Sequence, residues 1–159
     1  MEQKRKNFKE LLKFGEEGEH EVAKILLSKN ISIMPLYQFN NEGHAPFIAS
    51  KTTKIISPDL ICFGDKAFMV EVKTKTKWVV FKNNIETGID ARLYRQYLKV
   101  KRATNLDVFL FFNHKISGDI GLFACELEKY TRYWDGKTKN KKVFNEMFFY
   151  NKNILKKIV

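Results

Sequence analysis

Asp59, Glu71 and Lys73 are the residues whose types and spacing could do chemistry in this chain. Pro58-Asp59 sets a carboxylate at the start of one apolar segment. Glu71-Val72-Lys73, twelve positions on, sets a second carboxylate and a lysine near the end of the next. Two hard oxygen ligands beside a fixed cation suit a divalent ion assisting attack on a phosphodiester. The net charge of +11 independently favours a polyanionic substrate.

The elements that must position these groups can be read from the same stretch. Asp59-Leu60-Ile61-Cys62-Phe63 reads as a short strand, Gly64-Asp65-Lys66 as a turn, and residues 67–73 as the returning strand. A three-residue loop places Asp59 directly opposite Glu71, with Cβ atoms roughly 4.5–5.5 Å apart. Side chains alternate along strands, so Asp59, Glu71 and Lys73 leave one face. Leu60, Cys62, Phe68, Val70 and Val72 leave the other and would be core. Opposed carboxylates repel, and a bound cation would reverse that cost. Taken alone, the set also fits a solvated strand face, so its meaning depends on the rest of the chain.

Residues 16–30 carry a helical apolar stripe through Val22, Ile25 and Leu26. Glu19 borders that stripe, where it either complements the helix dipole or reaches a metal held by the hairpin. Residues 31–39 read as an irregular or edge strand interrupted by Pro35, and residues 40–57 as a loop. A short strand is expected around Trp78–Phe81, then a polar loop over residues 82–90 ending in an Asp90 N-cap. A second helix covers Ala91–Thr104, followed by strands at Val108–Phe112 and Gly118–Cys125. A short helix at Glu126–Tyr133 and an edge strand at Val143–Tyr150 complete the expectation. This order indicates an α+β or mixed α/β fold around one sheet.

On the second helix, Arg92, Gln96 and Lys99 share one face, and a neutral amide flanked by cations suits a phosphate or an attacking water. A solvated basic face is the rival reading there. Lys75, Lys77 and Lys82 surround the hairpin with Trp78 among them, and Arg92, Arg95 and Lys99 extend the basic field. Cations with an interleaved aromatic are the expected footprint of phosphate-backbone contact. His20, His44 and His114 show no metal-ligand spacing. No phosphate-binding glycine loop or nucleophile elbow is present.

At 159 residues, with 44% hydrophobic and 14% aromatic content, the chain reads as one folded domain over residues 1–159. Cys62 and Cys125 lie in apolar runs without zinc spacing, so buried thiols in a reducing compartment are expected. The N-terminus has no apolar signal region, and no apolar run approaches the ~20 residues of a membrane span. A cytoplasmic location is the expectation.

Taken in order, a helix with Gly18-Glu19 and Val22-Ala23, then Pro58-Asp59, Glu71-Val72-Lys73 and a following helix with Gln96 resemble the PD-(D/E)xK nuclease superfamily. Within it, the order is similar to Holliday-junction resolvases and small phage and mobile-element nucleases, over roughly residues 15–112. The resemblance implies a restriction-endonuclease-like core, a central mixed sheet flanked by helices. It implies Mg²⁺ or Mn²⁺ held by Asp59, Glu71 and the Val72 carbonyl, with Glu19 binding directly or through water. Lys73 would orient the attacking water and stabilise charge on the phosphate, and Gln96 would help place the water or phosphate. It implies DNA, duplex or branched, as partner, and a homodimer. A nucleic-acid-binding module that does not cut and an RNA-processing nuclease remain the alternative readings.

Overall fold

The computed structural model describes residues 2–36, 46–49, 54–116, 118–138, 141–142 and 145–159. The chain opens with helix α1 (Glu2–Ser28), a single helix that includes the basic lead-in. A six-stranded sheet follows the order β1 (Ser32–Pro35), β4 (Leu60–Phe63), β5 (Ala67–Lys75), β8 (Asp107–His114), β9 (Gly121–Glu126) and β14 (Lys156–Lys157). Its one parallel pair is β5 with β8. The crossover between them carries β6 (Val79–Phe81), β7 (Asn84–Asp90) and α2 (Ala91–Thr104). β7 joins a second sheet, ordered β10 (Arg132–Trp134), β13 (Met147–Asn151), β7, β6. Two small hairpins, β2 (Phe47–Ala49) with β3 (Lys54–Ile56) and β11 (Lys137–Thr138) with β12 (Lys141–Lys142), and a 3₁₀ turn at Lys152–Ile154 complete the described elements.

Each face of the six-stranded sheet has its own core. Met69, Leu110, Phe112 and Phe123 pack against Tyr97 and Val100 of α2 and against Ile89, Phe148 and Tyr150 of the second sheet. On the opposite face, Val22 and Leu26 of α1 cover Leu60, Cys62, Val70 and Val72. Cys62 and Cys125 are buried free thiols. No helix among the described residues is long and apolar enough to cross a membrane.

Helix α2 begins and ends where its sequence directs. The Asp90 carboxylate accepts the Arg92 N–H at 2.7 Å, satisfying one orphan donor of the first turn. Asn105 closes the helix in the left-handed region at φ 56°, and Lys101 and Arg102 complement the C-terminal dipole.

Four segments differ from expectation. Residues 84–90, read as a polar loop, are strand β7. Its Glu86 is only 2% exposed, and the Arg132 guanidinium donates to it through Nε at 3.0 Å and Nη2 at 2.5 Å. A buried charge needs such a partner, and here it comes from 46 residues away. The helix expected at Glu126–Tyr133 is a turn leading into β10. The last apolar segment lies between β10 and β7 within its sheet and is not an edge. The part of residues 40–57 that is described forms the β2–β3 hairpin. His44 lies outside the described residues.

Candidate active site

The β4–β5 hairpin has the register its loop dictates, Leu60 opposite Val70 through Phe63 opposite Ala67. Asp59 falls just before β4, across from Glu71. β4 pairs with β5 only as far as Val70, so from Glu71 onward that edge of β5 has no β4 partner. Asp59 takes up part of the edge with its side chain: Oδ2 accepts the Val72 N–H at 2.8 Å. The N–H and C=O of one strand residue leave the same edge, so the Val72 carbonyl also points to the Asp59 side.

Glu71 and Lys73 leave β5 on its α2 face, and the Lys73 ammonium pairs with Glu71 Oε1. The Glu71 side chain is 2% exposed, and its Oε2 is buried without a hydrogen-bond partner. Enclosure opposes the charge on Lys73, but Glu71 and Asp59 outweigh it and hold the ammonium at about 12. Enclosure, then the charge of Glu71, holds the Asp59 carboxyl well above the usual carboxylate range.

Glu19 arrives from the opposite face, past the open edge. α1 settles on β5 at Gly18, where a Cβ would run into Thr74 Oγ1. Gly18 thereby sets how closely Glu19 approaches, and Glu19 shares one cleft with Val72 and Lys73. Burial, then Glu71, raises its carboxyl from 4.5 to about 7, against a partial offset from Lys73.

That shift predicts a pH dependence. A carboxyl raised in the folded state binds its proton more tightly there than in the unfolded chain. It therefore contributes stability below 4.5 that is lost as pH rises through about 7. The melting temperature of the metal-free protein should fall across this window, and Glu19→Gln should flatten the fall. An unchanged slope in Glu19→Gln would show that Glu19 is not held in the field of the other acids.

Among the described residues, no three His, Cys, Asp or Glu side chains already form a closed metal-holding group. The Lys73 ammonium supplies the cation on Glu71 instead. The donors nevertheless fit a hard divalent ion. They comprise carboxylates that disfavour one another's charge, a buried carboxylate oxygen lacking a partner, and a main-chain carbonyl on the same edge.

Gln96 is not brought to this group by its amide oxygen, which accepts the Ile56 N–H at 3.3 Å and ties α2 to β3. The next residue takes the place by Glu71. Tyr97 is 2% exposed, and its hydroxyl lies against the Glu71 side chain. Burial and the charges of Glu71 and Asp59 push its phenol far above the ordinary range. In the sequence Tyr97 falls on an apolar stripe of this helix with Leu93 and Val100. The available signal was its polar tip, since a buried tyrosine needs a hydrogen-bond partner.

The basic residues divide into groups. Lys75 and Lys77 line the cleft of about 460 Å³ that holds Glu19 and Lys73. Lys82 is exposed in the β6–β7 turn, with its ammonium over Phe81. Arg92 and Arg95 line a separate hollow with Asn145 and Glu146, and Arg95 pairs with Glu146 at 2.6 Å. Lys99 is exposed on α2. Trp78, the aromatic among these lysines, is half-buried. Its indole stacks on buried His114 at 3.7 Å, and its N–H donates to the Asp119 carbonyl.

No protein-family model and no curated protein matches the chain. Among solved structures, it is similar to Archaeoglobus fulgidus Hjc, a Holliday junction resolvase from an archaeal hyperthermophile. The TM-score is 0.55 at 11% identity, covering 88% of this chain and 90% of that one. The likeness establishes the fold: a mixed central sheet with a helix on each face, arranged as in that resolvase.

Proposed function

We propose that this chain is a divalent-metal-dependent endonuclease that hydrolyses phosphodiester bonds in DNA. The observation that carries the reading is the gathering of Glu19, Asp59, Glu71 and Lys73 where β4 leaves β5, with one Glu71 oxygen buried and unpartnered. The fold shared with a Holliday junction resolvase supports DNA, and branched DNA as the first form to test. The net charge of +11 supports a polyanion.

In this reading Asp59, Glu71 and the Val72 carbonyl hold Mg²⁺ or Mn²⁺, with Glu19 directly or through water. Bound there, the ion would supply charge neutralisation at the phosphate and a more acidic water. Lys73 stays charged beside the carboxylates, so it can orient the attacking water and offset charge building on the phosphate. The Tyr97 hydroxyl, lying against Glu71, would help orient its carboxylate. Symmetric cuts across a branch need two sites, so a homodimer belongs to the same proposal. A non-cutting module with this fold would have little use for an enclosed group of mutually opposed acids.

The test offers linear, nicked, four-way-junction and single-stranded DNA with and without metal. Cleavage is expected with Mg²⁺ or Mn²⁺ and none in EDTA, while Ca²⁺ supports binding without turnover. Undiminished cleavage in excess chelator would sink the metal mechanism.

A further inference from the structure

Beyond the acids, the cleft contains polar groups that the hydrolytic reading leaves unused. Lys75 is part-buried on its wall and donates to the Gly88 carbonyl at 2.7 Å. Among the described residues, no carboxylate pairs with it. An ammonium has three donors, so two remain. Thr87 lines the same cleft at 2% exposure, and its Oγ1 has no hydrogen-bond partner. A part-buried cation without a counterion and, on the same cleft wall, a buried hydroxyl without a partner each cost stability unless a ligand reaches them. Enclosure, then the charge of Lys73, depresses the Lys75 ammonium to about 8, so an incoming anion would be welcomed there.

The spacing says which anion. Lys73 and Lys75 leave the same face of β5 with their Cα atoms roughly 6.6 Å apart, the Lys73 ammonium on Glu71 and the Lys75 ammonium on the Gly88 carbonyl. Consecutive phosphates along one nucleic-acid strand have a similar separation. Lys77 continues the row just past the end of β5 and lines the same cleft. We infer that Lys75 and the Thr87 hydroxyl form a phosphate subsite for the linkage next to the one being cut, with the substrate strand running along β5 from Lys73 toward Lys77. This rests on the nuclease reading for its substrate, but the subsite itself is a statement about anion binding.

The test has two arms. In the first, duplex or junction DNA carries a single neutral methylphosphonate at successive phosphates around the cut, and binding is measured in Ca²⁺. At the adjacent phosphate the wild type should lose roughly 10- to 100-fold in affinity, the scale of a lost charged hydrogen bond. Lys75→Met should bind natural DNA correspondingly weakly and be indifferent to that methylphosphonate. An equal penalty in wild type and Lys75→Met at every position overturns the subsite. In the second arm, millimolar inorganic phosphate should raise the melting temperature of the wild type, and not that of Lys75→Met or of Thr87→Val, which keeps the side chain's shape. Equal stabilisation of wild type and both variants also overturns it. If the wild type cuts no DNA, the nuclease reading fails, and the phosphate arm still decides the subsite.

Discussion

Glu71→Gln and Asp59→Asn should each lower the single-turnover rate of DNA cleavage at saturating metal by at least about a hundredfold, since loss of metal-based charge stabilisation is worth several kcal/mol. Both changes are isosteric. The amide introduced by Asp59→Asn would still present a carbonyl oxygen to the Val72 N–H that Asp59 Oδ2 now accepts. The fold should therefore persist, and circular dichroism can verify that before rates are compared. The metal-free melting temperature of Asp59→Asn should rise at neutral pH. Burial and the charge of Glu71 both disfavour the Asp59 carboxylate, so removing its charge removes a cost. A variant that cleaves at the wild-type rate with its fold verified would place the reaction elsewhere.

Lys73→Met should separate chemistry from binding. Its single-turnover rate should fall by two orders of magnitude or more, the scale seen when one preorganised charge-stabilising donor is removed, ~10²–10³. DNA affinity in Ca²⁺ should change little. Lys77→Ala should do the reverse, weakening binding and lowering the slope of log affinity against log salt by about one unit, with a normal rate once DNA saturates. Lys73→Met also leaves the 2%-exposed Glu71 without its cation. Stability should drop without metal and recover when a divalent ion is added. A Lys73→Met protein with a normal single-turnover rate would remove Lys73 from the chemistry and favour a binding module.

The parts of the structure that were legible are those where local rules and burial agree. Alternation and the Gly64-Asp65-Lys66 turn determine the hairpin register, because a one-residue slip would expose Leu60 and Val70 and bury the wrong face. Asp90 marks the start of α2 for the same local reason. The second sheet was not legible. Its β7 strand carries Glu86 and Thr87 inward, and Arg132, the partner that makes Glu86 tolerable there, is remote in sequence. Gln96 and Tyr97 illustrate a finer limit. They are adjacent on one helix and point about 100° apart, so the setting of α2 about its axis decides which meets Glu71. β3, whose Ile56 N–H engages Gln96, was hidden in a stretch that reads as a loop. Trp78 reads as an aromatic among lysines, and nothing local announces that it stacks on His114.

The early end of β4 has a consequence for the solubility of this protein. A strand with unpaired N–H and C=O groups along one side is a template onto which another chain can add; among the described residues the far half of β5 has no strand partner on its β4 side, and Asp59 covers only the Val72 N–H there. Lysines at every second position, Lys73, Lys75 and Lys77, make that template self-repelling, because a second copy of β5 laid against it would bring like charges together. Row charge of this kind would disfavour edge-to-edge association of two copies. Neutralising several of them at once would be expected to yield a protein that precipitates before its activity can be measured.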